Sequence, residues 1–233
     1  MFYIFDYGAT IDTPGNHWGK VIWHAYERVG VPVVEAVYRE AYVYAERYLG
    51  SHQTILPTDG FRTTLSKKLR LQLDHLGLFS DRLHTTLLDD LYSRTEANVA
   101  ASKTVLQTLK QQGHSLALVS NFYGNIPAVL REFGLEELFS VVVESATEGI
   151  RKPDPRLLSL CMERLGAVAA ETIVVGDHLT KDIQPAQSLG CHTVWIKGEP
   201  WSSEHDAASG VMPEHTVTSL QEILELQNLL TEY

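Results

Sequence analysis

The sequence predicts an α/β protein: a Rossmann-like, doubly wound parallel sheet core with an all-helical segment inserted after the first strand. Three observations carry this. Short apolar runs end on a polar residue at "FYIFD" (2–6), "SLALVSN" (115–121) and "TIVVGD" (172–177), and continuous runs of this length suit strands buried on both faces of a parallel sheet. Helical patterns separate the later runs, and strands alternating with helices imply right-handed parallel crossovers. Residues 14–95 break the alternation, reading as helix after helix with no strand run. The expected organisation is a core of residues 1–13 and 96–233 with a helical cap of residues 14–95.

Each element has a local signal. In the insert, Trp18, Val21, Ile22, Ala25 and Val29 recur at helical spacing, and "EAVYREAYVYAERYL" and "LHTTLLDDLYSR" follow the same pattern. Tyr38, Tyr42, Tyr44 and Tyr48 with Trp18 and Trp23 read mainly as packing within it, and Arg39 and Arg47 as solvated helix charges. Asp12 and Thr13, just before Pro14, suit a cap for the first inserted helix. Beyond the insert, "VAASKTVLQTLKQQG" stops at Gly113, and "NIPAVLREFG" runs from a candidate cap, Asn125, to Gly134. "DPRLLSLCMERLG" opens with Asp154 as candidate cap and Pro155 at the first helical position, and closes at Gly166. "KDIQPAQSLG" is a short helical segment with Pro185 in its first turn, followed by the strand candidate "HTVWI" and later by "HTVTSLQEILELQNLL". "EPWSSEHDAASG" (199–210) reads as a surface loop.

Composition narrows the function classes. The chain has 233 residues, 44% hydrophobic and 21% charged, near the averages for soluble globular proteins. A net charge of −10 with no cluster of Lys and Arg argues against a nucleic-acid partner, because phosphate neutralisation needs concentrated positive charge. No apolar stretch approaches the roughly 20 residues of a spanning helix, and no charged leader precedes "FYIF"; the expectation is a cytoplasmic protein with no membrane contact. Cys161 and Cys191 form no CxxC pair, and the ten histidines show no zinc-site spacing. No feature of the sequence fixes an oligomeric state.

In open parallel sheets, ligands bind beyond the carboxyl ends of the strands. Asp6, Ser120 and Asp177 each stand at such an end, and Lys152 precedes a predicted helix, so these four residues converge on one crevice. The acids there, with Asp182 added, repel one another unless a cation compensates, and a carboxylate-rich oxygen site suits magnesium. Such a set holds a phosphoryl group: a carboxylate attacks, a metal and a lysine offset negative charge, and a hydroxyl with backbone amides binds the equatorial oxygens. Taken alone, each residue also has a plain structural reading. A strand-ending Asp can bond nearby amides, Ser120-Asn121 can be a turn, Lys152 can be a solvated charge, and Asp182 can cap a helix.

The ordered set "FDYGAT", "VSN", "RKPDP" and "GDHLTKD" resembles the four motifs of the haloacid dehalogenase-like hydrolase superfamily, whose members are mostly magnesium-dependent phosphatases and phosphomutases. The resemblance covers nearly the whole chain, since the family places a helical cap directly after its first motif. It implies Asp6 as the nucleophile that forms an aspartyl-phosphate, Ser120 with Asn121 as phosphate-binding residues, and Lys152 as the charge-stabilising lysine. It further implies a Mg2+ held by Asp6, Asp177, the Gly8 carbonyl and Asp182, the last either a ligand or an orienting neighbour. The expected substrate is a small phosphorylated metabolite.

One position departs from the family. Its phosphatases usually read DxDxT, where the second acid protonates the leaving group; here the stretch reads Asp6-Tyr7-Gly8-Ala9-Thr10. Gly8 keeps the backbone carbonyl and lacks the acid, which removes general acid–base help typically worth about 10²–10⁴-fold. A glycine also suits a positive φ or a close approach. Asp12 and His17 are the nearest substitute acids in sequence. Two alternatives to a phosphohydrolase slowed by Gly8 follow: a haloacid dehalogenase-type carbon–halogen hydrolase, against which the acid-rich "GDHLTKD" stands, or a catalytically impaired protein that binds phosphate and metal in a regulatory role.

Overall fold

The computed structural model describes residues 1–202 and 210–230; residues 203–209, most of the predicted 199–210 loop, lie outside the described residues. Six parallel strands form one sheet in the order β3-β2-β1-β4-β5-β6. They are β1 (Phe2–Phe5), β2 (Ser115–Ser120), β3 (Val141–Glu144), β4 (Thr172–Gly176), β5 (His192–Ile196) and β6 (His215–Val217). The four runs identified from sequence are the four inner strands. The sequence reading does not identify the two edge strands, although β3 is as long as β1 and carries three consecutive valines.

Alternating residues of each strand face opposite layers. Ile4, Ala117, Val119, Val143 and Val174 pack against Leu157, Leu158 and Cys161 of α7 (Arg156–Leu165) and Ala186 of α8 (Gln184–Ser188). Tyr3, Phe5, Leu116, Leu118, Ile173 and Val175 face the opposite layer. That layer is built from α4 (Asp81–Gln111) and α5 (Ile126–Glu132). The short α6 (Ser145–Glu148) follows β3, and α9 (Glu222–Leu230) closes the described chain.

The expected strand-free helical region is present as α1 (Trp18–Val29), α2 (Glu35–Ser51), α3 (Phe61–His75) and the first half of α4. Two details differ from the sequence reading. The segment around residues 95–96 is no break: α4 runs 31 residues without interruption, since Asp81–Gln111 holds neither Gly nor Pro. Its inner face links the two regions, so Leu87 and Leu91 share one apolar cluster with Leu69 and Leu73 of α3 and with Phe5 of the sheet. In addition, α1 starts at Trp18 with His17 as its cap, the ring Nδ1 accepting the Gly19 N–H at 3.0 Å. Asp12 and Thr13 do not cap it.

Caps elsewhere also come from unexpected partners. Asn125 occupies the N-cap position of α5, but its side chain donates to the Asp59 carbonyl and Thr64 Oγ1. The Glu144 carboxylate, from the end of β3, instead accepts the N–H groups of Gly124 and Ile126. At α7 the helix begins at Arg156 with Pro155 in the cap position, one residue later than expected, and Asp154 accepts the Arg156 N–H at 3.0 Å from just ahead of it.

Candidate active site

Asp6 extends the sheet by one bond, its N–H donating to the Val175 carbonyl at 3.0 Å, and its carboxylate emerges at the carboxyl end of β1. The chain then turns sharply. The Tyr7 carbonyl accepts N–H groups from Thr10, Ile11 and Asp12, and the turn places Ala9 in the left-handed region at φ 57°. Gly8 is not in that region, and a Cβ built on it would meet only Trp18 Cδ1, at 4.0 Å. Neither backbone conformation nor crowding therefore requires glycine at position 8.

Asp12 is the staple of this turn. Its Oδ1 accepts the Ala9 N–H at 2.8 Å and the Thr13 hydroxyl at 3.2 Å, and its Oδ2 accepts Trp18 Nε1 at 2.8 Å. Burial pushes its carboxyl up to about 7, against those three donors. Both oxygens are engaged, and the residue does not line the cleft described below.

Lys152 sits 146 residues from Asp6 in sequence and beside it in space: Nζ donates to Asp6 Oδ1 and to Asp182 Oδ1, each at 2.6 Å, and to the Val119 carbonyl at 3.1 Å. A reciprocal amide pair holds its backbone, Asn121 Nδ2 donating to the Lys152 carbonyl and the Lys152 N–H donating to Asn121 Oδ1, both 3.0 Å. The Asn121 side chain thus positions the lysine. Ser120, 2% exposed at the end of β2, faces the same cleft.

Asp177 follows β4, and the Trp195 indole N–H fixes its backbone carbonyl at 2.8 Å. Asp182 lies on a single π-helical turn, Leu179–Ile183, a distortion that recurs at functional sites. Its Oδ1 takes the Lys152 ammonium and its Oδ2 accepts the His178 N–H at 3.1 Å. The turn packs directly on Gly176, where an added Cβ would overlap the Asp182 side chain. Gly176→Ala is therefore expected to displace Asp182 and lower stability by about 1–3 kcal/mol, read as a reduced melting temperature; an unshifted melting curve would show that the turn accommodates a methyl.

The electrostatics are unbalanced. Burial pushes Asp6 up to about 6, Lys152 opposing and Asp182 adding to the shift. Burial, Asp182 and Asp6 hold Asp177 well above the ordinary carboxylate range. Burial disfavours the Lys152 charge, but Asp182 and Asp6 outweigh it and keep the ammonium protonated. One lysine serves two of three acids.

Asp6, Asp177 and Asp182 each present an oxygen within 4.8 Å of the others. The Gly8 carbonyl accepts no hydrogen bond among the described residues. Hard oxygen donors with uncompensated charge are the donor set of a divalent cation such as magnesium, so the residues present fit one. Asp6, Asp177 and the Gly8 carbonyl have free oxygens for it, whereas both Asp182 oxygens are already occupied.

These groups open into a cleft of about 1130 Å³ between the strand ends and the helical region. Its other lining includes His17, one of the two substitute acids that the sequence offers, with Trp18 and Tyr42, and also Glu46, Lys68 and Tyr123, which carry no site signal in the sequence. The His17 ring lies tilted against Trp201 and edge-on to Tyr42, at centroid distances of 5.4 and 6.0 Å. Tyr38 and Trp23 pack within the helices as expected, 5.3 Å apart.

This geometry can be set beside known proteins. Residues 15–190 match the model of the haloacid dehalogenase-like hydrolase family. The chain belongs to that family. The zebrafish (Danio rerio) haloacid dehalogenase-like hydrolase domain-containing protein 3 is 33% identical over 122 residues, 52% of this chain and 49% of the relative. A phosphoglycolate phosphatase of Aliivibrio fischeri is 38% identical over 114 residues, 46% of this chain and 50% of that one; the chain spans about half the length of these two relatives. A phosphoglycolate phosphatase of Vibrio cholerae is 33% identical over 188 residues, 74% and 75% of the two chains.

Two solved structures share the family fold at low identity. One is a dehalogenase with an intermediate complex, with a TM-score of 0.62 and 22% identity over 97% of this chain and 96% of that one. The other is a phosphatase of the family from Thermococcus onnurineus, with a TM-score of 0.54 and 21% identity over the same shares. Among the described residues no helix is long and apolar enough to cross a membrane.

Proposed function

We propose that the protein is a magnesium-dependent phosphohydrolase acting on a small phosphorylated metabolite. The observation that carries this reading is the Asp6 carboxylate at a strand end, 2.6 Å from a buried lysine, in a group of three acids that lacks compensating charge. The phosphoglycolate phosphatases of Aliivibrio fischeri and Vibrio cholerae among the relatives support it, as do relatives named for phosphoserine and glyceraldehyde 3-phosphate. Residues 14–95 serve as the cap, with α4 as its continuous link to the sheet.

In this reading the Asp6 carboxylate attacks phosphorus while the ester oxygen leaves, forming an aspartyl-phosphate that water then hydrolyses. Lys152 and the Ser120 hydroxyl bind phosphoryl oxygens, and Asn121 and Asp182 hold the lysine in place. A bound magnesium would neutralise charge on the transferring group. Phosphate release across a panel of phosphorylated metabolites, with and without magnesium, tests the proposal; no release from any of them would overturn it.

The leaving group's proton is the weak point. Asp12 is tied up in the turn. His17 accepts the Gly19 N–H at Nδ1, and burial with the charge of Lys181 pushes its imidazole down to about 4, so it is a neutral ring at pH 7. Substrates whose leaving group departs unprotonated, such as aryl and acyl phosphates, are therefore expected to turn over fastest. Gly8→Asp fits the open space at position 8 and is expected to raise alkyl phosphate turnover by up to about 10²–10⁴-fold, with a smaller gain for aryl phosphates. The slope of single-turnover rate against leaving-group pKa reads this. A wild-type slope near zero would mean that another group supplies the proton.

Magnesium and pH are coupled here. Because Asp6 titrates near 6 when folded, above its ordinary 3.8, the native state holds that proton more tightly than the unfolded chain. Its contribution to stability is present below about pH 4 and is lost as pH rises through 6. A cation that binds the ionised carboxylates restores it, by about 2.7 kcal/mol at a hundredfold excess over its dissociation constant. The rise in melting temperature on adding magnesium is thus expected to be larger at pH 7.5 than at pH 5.5. An equal rise at both would remove Asp6 from the metal site.

A further inference from the structure

The cleft that opens beside Asp6 carries polar groups that the phosphoryl-transfer reading above does not use. The chain as a whole carries −10, yet five cationic side chains line the cleft against four carboxylates, before any divalent ion is added. Lys152 is consumed by Asp6 and Asp182. Arg47, Arg151 and Lys181 make no ion pair among the described residues, although most other lysines and arginines of the chain do. A low-dielectric cleft focuses such a surplus on whatever enters it.

The surplus surrounds a built wall. Lys68, only 8% exposed, lies on the inner face of α3 with Nζ 2.6 Å from Glu46 Oε1 and 5.5 Å from the centre of the Tyr123 ring. Tyr123 donates its hydroxyl to Glu46 Oε2 at 2.8 Å. Tyr123 thereby occupies Glu46 Oε2, while Lys68 is ion-paired to Oε1 without hydrogen-bond geometry and its ammonium keeps donor capacity toward the cleft. His17 lines the same cleft as this pair and Lys181, and its ring feels the charges of Lys181, Glu46 and Lys68. Since its Nδ1 accepts the Gly19 N–H, the ring proton is on Nε2, which is a donor. Lys181 faces Asp177, whose carboxyl feels its charge, but the two form no ion pair among the described residues, so Lys181, Lys68 and the His17 N–H all keep donor capacity toward the cleft.

We propose that Lys181, Lys68 and the Nε2–H of His17 bind a second anionic group of the substrate, a carboxylate or a second phosphate, alongside the phosphate ester held at Asp6. This rests on the phosphohydrolase reading for the ester end and adds the chemistry of the other end. A singly esterified alcohol with an uncharged tail would leave the surplus charge unmatched. A tail ending in an anion matches it, pairing with the buried Lys68 and the exposed Lys181.

The test measures binding, so that it stands apart from turnover. Three ligands of equal length are titrated calorimetrically, with magnesium, into the full chain carrying Asp6→Asn: a three-carbon alkyl phosphate ending in a hydroxyl, the same chain ending in a carboxylate, and the same chain ending in a second phosphate. At least one anionic ligand is expected to bind about tenfold or more tightly than the hydroxyl ligand, and the better of the two identifies the group. Adding Lys181→Gln is expected to cut that preference to within about threefold. The charge-balanced pair Lys68→Met with Glu46→Gln should do the same; if it fails to fold, Lys181→Gln on the exposed face of the π turn decides alone.

Equal affinity for all three ligands, no binding by any of them, or a preference that survives Lys181→Gln overturns the inference. So does a loss on Lys181→Gln that is equal for all three, since that would be a general effect on the phosphate end. Phosphate release by the unmodified enzyme, measured on the same ligands, reports separately on the phosphohydrolase reading.

Discussion

Asp6→Asn is expected to lower phosphate release by roughly 10⁴–10⁶-fold, the scale seen when a covalent nucleophile is removed. The amide is nearly isosteric, so β1 and the bond from the Asp6 N–H to Val175 should persist. What changes is that no carboxylate remains to form the aspartyl-phosphate, while Lys152 keeps Asp182 as a partner. Rapid-quench trapping of phosphoenzyme from labelled substrate separates the roles. The unmodified chain should accumulate label on Asp6 when the second step is slow, as the missing acid at position 8 implies, and the variant should accumulate none. Residual activity within tenfold of the unmodified chain would mean that another group attacks, and the mechanism built on Asp6 would fall.

Lys152→Met is expected to have the largest effect on stability. The ammonium, with its side chain 4% exposed, lies between Asp6 and Asp182. Removing one partner of a buried charge network leaves the others uncompensated, typically at a cost of about 3–5 kcal/mol. For a chain of this size that corresponds to a fall in melting temperature of roughly 6–20 °C. The loss should be pH-dependent, greatest near pH 8 and smaller near pH 5, where Asp6 protonates and needs no counter-charge. Adding Asp182→Asn to Lys152→Met should recover part of it. An equal loss at both pH values, unrelieved by the second substitution, would point to lost packing of the lysine stem.

Much of this architecture is legible in the sequence because it depends on local patterns. The apolar runs at 2–6, 115–121, 172–177 and 192–196 are the four inner strands of the sheet, whose burial on both faces is what makes a run continuous. Their ends carry Asp6, Ser120 and Asp177, and the rule that parallel strands present their carboxyl ends to ligands brings those residues together without further information. The edge strand β6 escapes notice because three residues beside solvent need no distinctive composition, whereas β3, with three consecutive valines, carries a readable signal. The continuity of α4 was legible in the absence of Gly and Pro, but two separate periodic stretches concealed it.

The sequence by itself therefore determined the fold class, the order of the strands' contributions to the site, and the absence of an acid at position 8. Only the tertiary structure decided what Gly8, Asp12, Asn121, His17 and Lys68 do. Gly8 has room for a side chain, so its identity concerns chemistry and not backbone strain. Asp12 and Asn121 spend their polar atoms on the turn and on the Lys152 backbone, which no spacing rule reveals. Lys68 did leave a trace, a lysine on the apolar stripe of Phe61, Leu65, Leu69 and Leu73, but its partners Glu46 and Tyr123 come from α2 and from the loop after β2. The physical reason is range: strand burial and helix periodicity are properties of neighbours in sequence, whereas a hydrogen-bond partner or a cleft wall is chosen by packing between segments that sequence leaves far apart.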